Sequence, residues 1–557
     1  LNKLYFGDNL DVLRESIKDE SVDLIYLDPP FNSNATYNVL FAGPKGHQSH
    51  AQIEAFEDTW HWGPQAEKEF SEILSQPNTQ VAEVMRALRQ FLGENDMMAY
   101  LTMMANRLLE LRRVLTPTGT LYLHCDPTAS HYLKVVLDGV FGHECFLNEI
   151  IWKRTSAHSS AKRYGPVHDV ILFYGKGEEP TWNEQFQPYD EEYLRQFYTH
   201  VDPDGRVWRR SDMTGAGVRH GETGLVWRGI DVTAKGRHWA YPPTILEEMD
   251  KQGKLHWPRK EGGMPMLKRY LDEQPGVPLQ DVWSDVRTMH NLSEERLGYP
   301  TQKPLALLER IICSSSNVGD VVLDPFCGCG TAVHAAQKLG RQWIGIDVTH
   351  LAITLIEKRL RDAFPAIKFE VHGTPKDLAG AGDLALRDKY QFQWWACSLV
   401  NAQPYQGKKK GADSGIDGLI YFQDDKGPSK KIIVSVKGGE NVGVAMVKDL
   451  IATVAHQKAE IGLFVTLTEP TRPLLTEAVA AGFYTSPANG AKFQKIQVLT
   501  IDDLLSGKAR AAYPRMDAGA ATFRKAQLEH GQDTQGDWLS KSPGGEKAAK
   551  KGKRART

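Results

Sequence analysis

Four residues, Asp28-Pro29-Pro30-Phe31, follow the short apolar run Val22 to Leu27. Proline has no N–H, so the Asp28 carboxylate and the Pro29 carbonyl form a surface that only accepts hydrogen bonds. An aryl amino group is the matching donor. It has two N–H bonds to give, and its lone pair is delocalised into the ring. Holding both hydrogens on acceptors draws the nitrogen toward a tetrahedral geometry and localises the lone pair for direct attack on a sulfonium methyl. Phe31 adds a flat face for a base turned out of a duplex, worth roughly 1–3 kcal/mol. Carbon-5 chemistry would need a cysteine in a Pro-Cys loop, and none is present. The plainer reading of the same residues is a rigid loop with a helix-capping Asp.

A second string, Asp324-Pro325-Phe326-Cys327-Gly328-Cys329-Gly330-Thr331, also follows a buried strand signal. Gly328 and Gly330 give a turn whose backbone a ligand can approach closely. Asp347 ends the next strand, where a carboxylate can accept hydrogen bonds from both ribose hydroxyls or cap a helix. Cys327 and Cys329 read as small space-fillers. The other cysteines are Cys125, Cys145, Cys313 and Cys397, and none of the six forms a Cys-x-x-Cys pair. That spacing argues against structural zinc and a disulfide framework, and fits a reducing cytosol.

Both strings need elements to hold them. Leu4 to Phe6 reads as a strand closed by Gly7-Asp8, Leu10 to Ile17 as a helix, and Val22 to Leu27 as a buried parallel strand. Residues 40–95 lack clean periodicity and read as an insertion. A helix is expected over Met97 to Leu115, then strands at Thr120 to His124 and Asp169 to Tyr174. From 177 to 295 the texture turns to Trp, Arg, Gly and His. Regular alternation resumes with a helix from Thr301, a strand at Val321 to Leu323, a helix to Leu339 and a strand at Trp343 to Ile346. Alternating strands and helices imply a doubly wound parallel sheet. Gly-rich residues 373–385 read as a linker to a second, smaller α/β unit.

At 557 residues the chain is too long for one ordinary core, so two or three domains are expected. Hydrophobic residues at 41% and charged residues at 24% describe a globular protein, and no apolar run approaches the ~20 residues of a membrane helix. The first residues carry no signal-peptide apolar region. A net charge of −2 does not by itself point to nucleic acid, but local distribution sets a binding field.

The two strings and their order resemble amino-methyltransferases of DNA in the permuted β arrangement, over about 370 residues. The resemblance implies a circularly permuted, Rossmann-like S-adenosylmethionine-dependent methyltransferase fold. Its catalytic half would occupy residues 1–176, a target recognition region 177–295, and the donor-binding half 296–375. It makes Asp28, Pro29, Pro30 and Phe31 catalytic. It assigns the S-adenosyl-L-methionine site to Asp8, Thr301, Gln302, Lys303, Pro304, Asp324, Phe326, Gly328, Gly330, Thr331 and Asp347. Thr301-Gln302-Lys303-Pro304 would line the methionine end, and Asp8 would lie beside the adenine. Ile150 to Arg154 and His168 to Leu172 look like the family's middle strands. Asp-Pro-Pro-Phe resembles adenine enzymes more than cytosine ones, although both amino groups present the same two hydrogens. The implied partner is double-stranded DNA, with a homodimer by analogy and no membrane. The implied location is a bacterial cytoplasm, at the nucleoid. Arg209, Arg210, Arg228 and Arg237 are candidates for guanine or phosphate contacts.

Residues 385–510 resemble Mrr-like restriction endonuclease domains of the PD-(D/E)xK type, through Phe392 to Ala396, Gly411 to Gly418 and Ile432 to Gly439. The resemblance makes Asp417, Ser435 and Lys437 nuclease candidates and Asp417 a metal ligand, with magnesium required only if the domain cuts. Ser435 departs from the pattern, which has Glu, Asp or Gln there, and a neutral hydroxyl is a poor hard-cation ligand. Asp413 and Glu440 are candidate assistants. Residues 511–557 read as a disordered basic tail.

Overall fold

The computed structural model describes residues 2–30, 36–42, 48–57, 60–155, 162, 164–259, 263–289, 295, 297, 302–405, 415–425, 429–514 and 526–529. Phe31, Thr301, Asp413 and most of the expected tail lie outside the described residues. Residues Glu184–Gln280 form one compact unit, and the described residues before and after it form another.

The larger unit is built on a nine-stranded sheet. Its strands are β1 (Asn2–Phe6), β2 (Val22–Leu27), β3 (Leu115–Cys125), β4 (Phe146–Lys153), β5 (His168–Gly175), β6 (Val282–Trp283), β7 (Val321–Asp324), β8 (Gln342–Asp347) and β9 (Phe369–His372). The spatial order is β6-β4-β5-β3-β2-β7-β8-β1-β9. Only β5 runs antiparallel to its neighbours. The helices used below are α1 (Asn9–Ser16), α2 (Asp96–Val114), α3 (Leu305–Ser315), α4 (Thr331–Lys338) and α5 (His350–Ala363). This is the α/β fold with a parallel central sheet that the alternation of elements implies.

The strand β2 shows why. Val22, Leu24, Ile25 and Leu27 are fully buried, because helices cover both faces of a parallel strand. Each such side chain contributes about 1.5–3 kcal/mol. The strand stops where Pro29 and Pro30 remove the N–H groups that would extend its ladder. Strands β2 and β7 are neighbours far apart in sequence, paired through Leu24↔Val322 and Ile25↔Leu323. The connections on either side of this pair run in opposite directions across the sheet. Their carboxyl ends therefore flank the crevice where open α/β sheets bind ligands.

Two expectations are corrected. Residues 40–95 hold helices at Pro64–Leu74 and Thr79–Leu92 and a strand pair at Thr36–Ala42 and Gln48–Glu57. Phe70, Ile73, Val81, Met85 and Leu88 are buried in the main core. Their three- and four-residue spacing within each helix is helical, but the polar stretch Ser75 to Gln80 interrupts it between the two. The expected linker at 373–385 contains the helix Leu378–Arg387, capped by Asp377 accepting from the Gly380 N–H at 2.8 Å. Burial of Ala381 and Leu384 outweighs the weak helix propensity of its glycines.

The C-terminal α/β region follows. Its strands, β10 (Gln403–Pro404), β11 (Gly418–Phe422), β12 (Lys430–Lys437), β13 (Ile461–Thr466) and β14 (Ile496–Thr500), lie in chain order. The pairs β12–β13 and β13–β14 are parallel. Helix α6 (Lys389–Leu399) covers one face through Phe392, Trp395 and Ala396. Helix α7 (Val444–His456) covers the other through Val447, Leu450 and Val454.

The smaller unit carries a four-stranded sheet of Leu255–His256, Met266–Tyr270, Val207–Ser211 and His200–Val201. Asp202 ties it together, accepting from Trp208 Nε1 at 2.7 Å, Lys268 Nζ at 2.8 Å and the Tyr270 hydroxyl at 2.6 Å. Met213, Trp227, Val232, Trp239 and Leu246 form its core.

Candidate active site

A cavity of about 290 Å³ opens at the carboxyl ends of β2 and β7. One wall is the turn between β7 and α4. Gly328 has φ +52°, and its N–H donates to Asp347 Oδ2 at 2.8 Å. Gly330 has φ +75° and caps α4. A Cβ there would stand 2.8 Å from Ile356 Cγ1. Asp347 Oδ1 accepts from both the N–H and the hydroxyl of Thr349 at 2.9 Å. Thr349, not Asp347, caps α5. Burial pushes the Asp347 carboxyl up to about 6, against the pull of those hydrogen bonds. Asp324 is buried and accepts from the Phe326 N–H at 3.0 Å. Burial, then the nearby Asp28 and Asp347 charges, push it well above the usual carboxylate range.

The opposite wall is Asp28, Pro29 and Pro30. Asp28 Oδ2 is paired with the Lys303 ammonium. Asp28 Oδ1 is buried and has no hydrogen-bond partner among the described residues. A buried carboxylate oxygen without a donor, on a residue that lines the cavity, fits a ligand that brings one. Gln302 lines the cavity, but its amide is spent locally, donating to the Glu295 carbonyl and accepting from the Leu297 N–H, both at 2.8 Å. Pro304 is the N-cap residue that precedes α3, and Thr331 accepts from Arg359 Nη1 at 3.0 Å.

Asp8 also lines the cavity, with its carboxylate already engaged. It caps α1 through the Leu10 N–H at 2.8 Å, and both oxygens accept from Arg107 Nη2 at 3.0 Å. The cavity thus gathers Asp8, Asp28, Pro29, Pro30, Gln302, Lys303, Asp324, Phe326, Gly328, Thr331 and Asp347. Pro304 and Gly330 are not among its lining residues. For S-adenosylmethionine the residues fit. A glycine-lined backbone and an acceptor carboxylate face one end, and an unpartnered acceptor faces the other.

A family model described as a DNA methylase matches residues 22–358, more than half of the chain. The chain belongs to the N6/N4 DNA methylase family. It is 38% identical over 262 residues to the Type II methyltransferase M.EcaI of Enterobacter cloacae, covering 47% of this chain and 57% of that one. It is 27% identical over 357 residues to the Type III restriction-modification enzyme StyLTI Mod subunit of Salmonella typhimurium, covering 61% and 50%. The match therefore spans 57% and 50% of the length of these two relatives. Among solved structures, the cytosine-N4-specific PvuII DNA methyltransferase superposes with a TM-score of 0.31 at 14% identity, covering 66% of this chain and 89% of that one.

Beyond the methylase match, residues 397–506 match a second family, NACHT-associated inactive Restriction Endonuclease 1. The Mrr-like expectation is thus met only as a restriction-endonuclease-like domain, of a type described as inactive. Asp417 opens β11, and its Oδ2 accepts from the Val436 N–H on β12 at 2.7 Å. The carboxylate placed as a metal ligand from sequence is bonded to the strand backbone. Ser435, next to Val436 in sequence, is buried, and Lys437 ends the strand. Among the described residues no three His, Cys, Asp or Glu side chains come together as a cation site. Glu440 lies beyond the end of β12.

In the smaller unit, Arg228 pairs with Glu247 at 2.6 Å and Asp250 at 2.5 Å, and Arg237 with Asp212 at 2.6 Å. Arg209 lies 6.0 Å from the Tyr198 ring, while Arg210, next on the strand, is exposed. No helix among the described residues is long and apolar enough to cross a membrane.

Sequence reasoning missed two arginines. Arg107, in the middle of α2, joins Asp8 to Asn9, whose Nδ2 in turn donates to the Pro325 carbonyl at 2.8 Å. Arg359 on α5 holds the Cys329 carbonyl at 3.1 Å. The signal was periodic: each arginine stands three or four residues from apolar positions, Met103, Met104 and Leu111 around Arg107, and Leu355, Ile356 and Ala363 around Arg359.

Proposed function

We propose that this chain methylates the exocyclic amino group of adenine in duplex DNA, using S-adenosylmethionine. The observation that carries the reading is Asp28 Oδ1, a buried acceptor without a donor in the same cavity as the glycine turn and Asp347. The bound donor supplies an electrophilic methyl on a sulfonium. Asp28 and the Pro29 carbonyl take the two amino hydrogens and localise the nitrogen lone pair. Lys303 holds the Asp28 carboxylate in place through its other oxygen. Asp347 receives the ribose hydroxyls, and Lys303 and Gln302 face the methionine end. The choice of adenine rests on the Asp-Pro-Pro-Phe sequence.

The C-terminal domain, on this proposal, holds or positions DNA and does not cut it. Ser435 in place of an acid, and the Asp417 carboxylate bonded to its own sheet, support that reading.

The decisive variant is Asp28→Ala. It keeps S-adenosylmethionine binding and loses transfer of tritiated methyl to DNA. Transfer at the wild-type rate refutes the role given to Asp28. Long-read sequencing of DNA from cells expressing the chain identifies the base and the site, and methylated cytosine would replace adenine in the proposal.

A further inference from the structure

Two residues before Asp28, and therefore on the same face of β2, Tyr26 also lines the cavity. Its hydroxyl lies 3.0 Å from His124 Nδ1 on β3. His124 Nε2 lies 3.1 Å from Asp169 Oδ2 on β5, and Arg154 Nε lies 3.4 Å from the other Asp169 oxygen. Tyr26 is 2% exposed, His124 0% and Asp169 1%. The His124 ring is edge-on to Trp152 at 5.6 Å, which closes the far side with carbon.

We infer that Tyr26, His124 and Asp169 form a relay that takes up the proton released when the amino nitrogen is methylated. The inference rests on the methyl-transfer reading. A row of apolar side chains would fill the same space without the desolvation cost of three polar groups. The row also has direction. One end is anchored by Arg154, and Tyr26 at the other lines the cavity together with Asp28.

The hydrogen-bond partners assign the protons. Burial pushes the Asp169 carboxyl up, but its bond to His124 and the Arg154 charge outweigh burial and hold it below the usual range. An ionised Asp169 only accepts, so the His124 proton sits on Nε2. Nδ1 then accepts from the Tyr26 hydroxyl. Burial, reinforced by the Asp28, Asp324 and Asp169 charges, keeps Tyr26 a phenol. Its oxygen lone pairs are left for a donor in the cavity.

The step balances. The nitrogen lone pair forms the N–C bond as the S–C bond breaks, and that pair stays on sulfur. The nitrogen now carries a positive charge and sheds one proton. The hydrogen held by Asp28 passes to that carboxylate and on to the Tyr26 oxygen, as the Tyr26 proton moves to His124 Nδ1. The result is an imidazolium against the Asp169 carboxylate, reset by solvent after the product leaves.

The test uses the intact chain. Spectra of the ¹⁵N-histidine-labelled wild type are expected to show His124 as the Nε2–H tautomer with a hydrogen-bonded Nδ1. An Nδ1–H tautomer or an imidazolium in the free protein overturns the relay, whether or not any variant folds. Under single turnover with S-adenosylmethionine and DNA bound, Tyr26→Phe and Asp169→Asn are expected to slow transfer about 100-fold, the low end of general-base effects. Binding of both ligands stays unchanged. Tyr26→Phe transferring at the wild-type rate overturns the relay alone. A wild-type chain that transfers no methyl to any duplex overturns the methyltransferase reading and the relay together.

Discussion

Asp347 offers a quantitative test of the donor site. Burial raises its carboxyl from 3.8 to about 6. That is about two pKa units, and at 1.36 kcal/mol each the empty fold disfavours the charged form by about 3 kcal/mol. A raised folded pKa makes a stabilising contribution that is complete below the unfolded value and lost as pH rises through the folded one. Between pH 4 and 6 the empty protein should therefore lose stability on this account as pH rises. Donor binding has the opposite sense. Two ribose hydroxyls favour the carboxylate, so binding below pH 6 must expel a proton. At pH 5 only about one carboxylate in eleven is ionised, so affinity should be about tenfold weaker than at pH 7. Titration calorimetry of S-adenosylmethionine in two buffers of different ionisation heat reads both quantities. Close to one proton should be released per donor at pH 5 and almost none at pH 7. Asp8, Asp28, Asp324 and Lys303 face the same cavity, so Asp347→Asn is the control: it should bind weakly and flatten the profile. Equal affinity at pH 5 and 7, or proton uptake, would refute the role given to Asp347.

Two further outcomes are expected. Gly330→Ala should destabilise the chain by about 1–3 kcal/mol and weaken donor binding, because its φ of +75° and the 2.8 Å approach to Ile356 both oppose a Cβ; thermal denaturation and a donor titration measure these, and a wild-type melting temperature would contradict the turn geometry. Supercoiled, unmethylated plasmid should survive incubation with the chain and magnesium or manganese, because Ser435 supplies no carboxylate; nicked or linear product that Asp417→Ala abolishes would reinstate the nuclease.

What was readable in the sequence was local. Asp28 and Asp324 each end a buried strand, and proline or glycine marks the exit, so both motifs could be placed on the sheet without knowing its order. The two helices at 64–92 were missed because the polar run Ser75 to Gln80 separates Phe70 and Ile73 from Val81, Met85 and Leu88. The helix at 378–387 was missed because its stability comes from Ala381 and Leu384 packing against the C-terminal core, which no propensity reports. Asp8 was placed beside the ligand, and it does line the cavity. Its bond to Arg107 spans 99 positions, however, and only the fold reveals it. In the C-terminal domain Ser435 was legible as a departure from the nuclease pattern. The bond from Val436 to Asp417 was not, because it depends on the register of β11 against β12.

The charges in the cavity explain why a chain of net charge −2 said so little about its ligands. Four carboxylates, Asp8, Asp28, Asp324 and Asp347, line a space that holds two cationic side chains, Arg107 and Lys303. Arg107 is bonded to Asp8, and Lys303 to Asp28. Asp324 and Asp347 are bonded instead to backbone N–H groups and the Thr349 hydroxyl, and burial drives both upward. In a site of low dielectric, that residual negative potential is unfavourable until a cation enters. A sulfonium donor brings that cation to the place where the amino nitrogen must meet its methyl. On the proposed reaction the positive charge passes from sulfur to nitrogen and then leaves as a proton. An acid cluster next to a buried Tyr-His-Asp row provides for both halves of that transfer: the acids attract the charge, and the row carries it away.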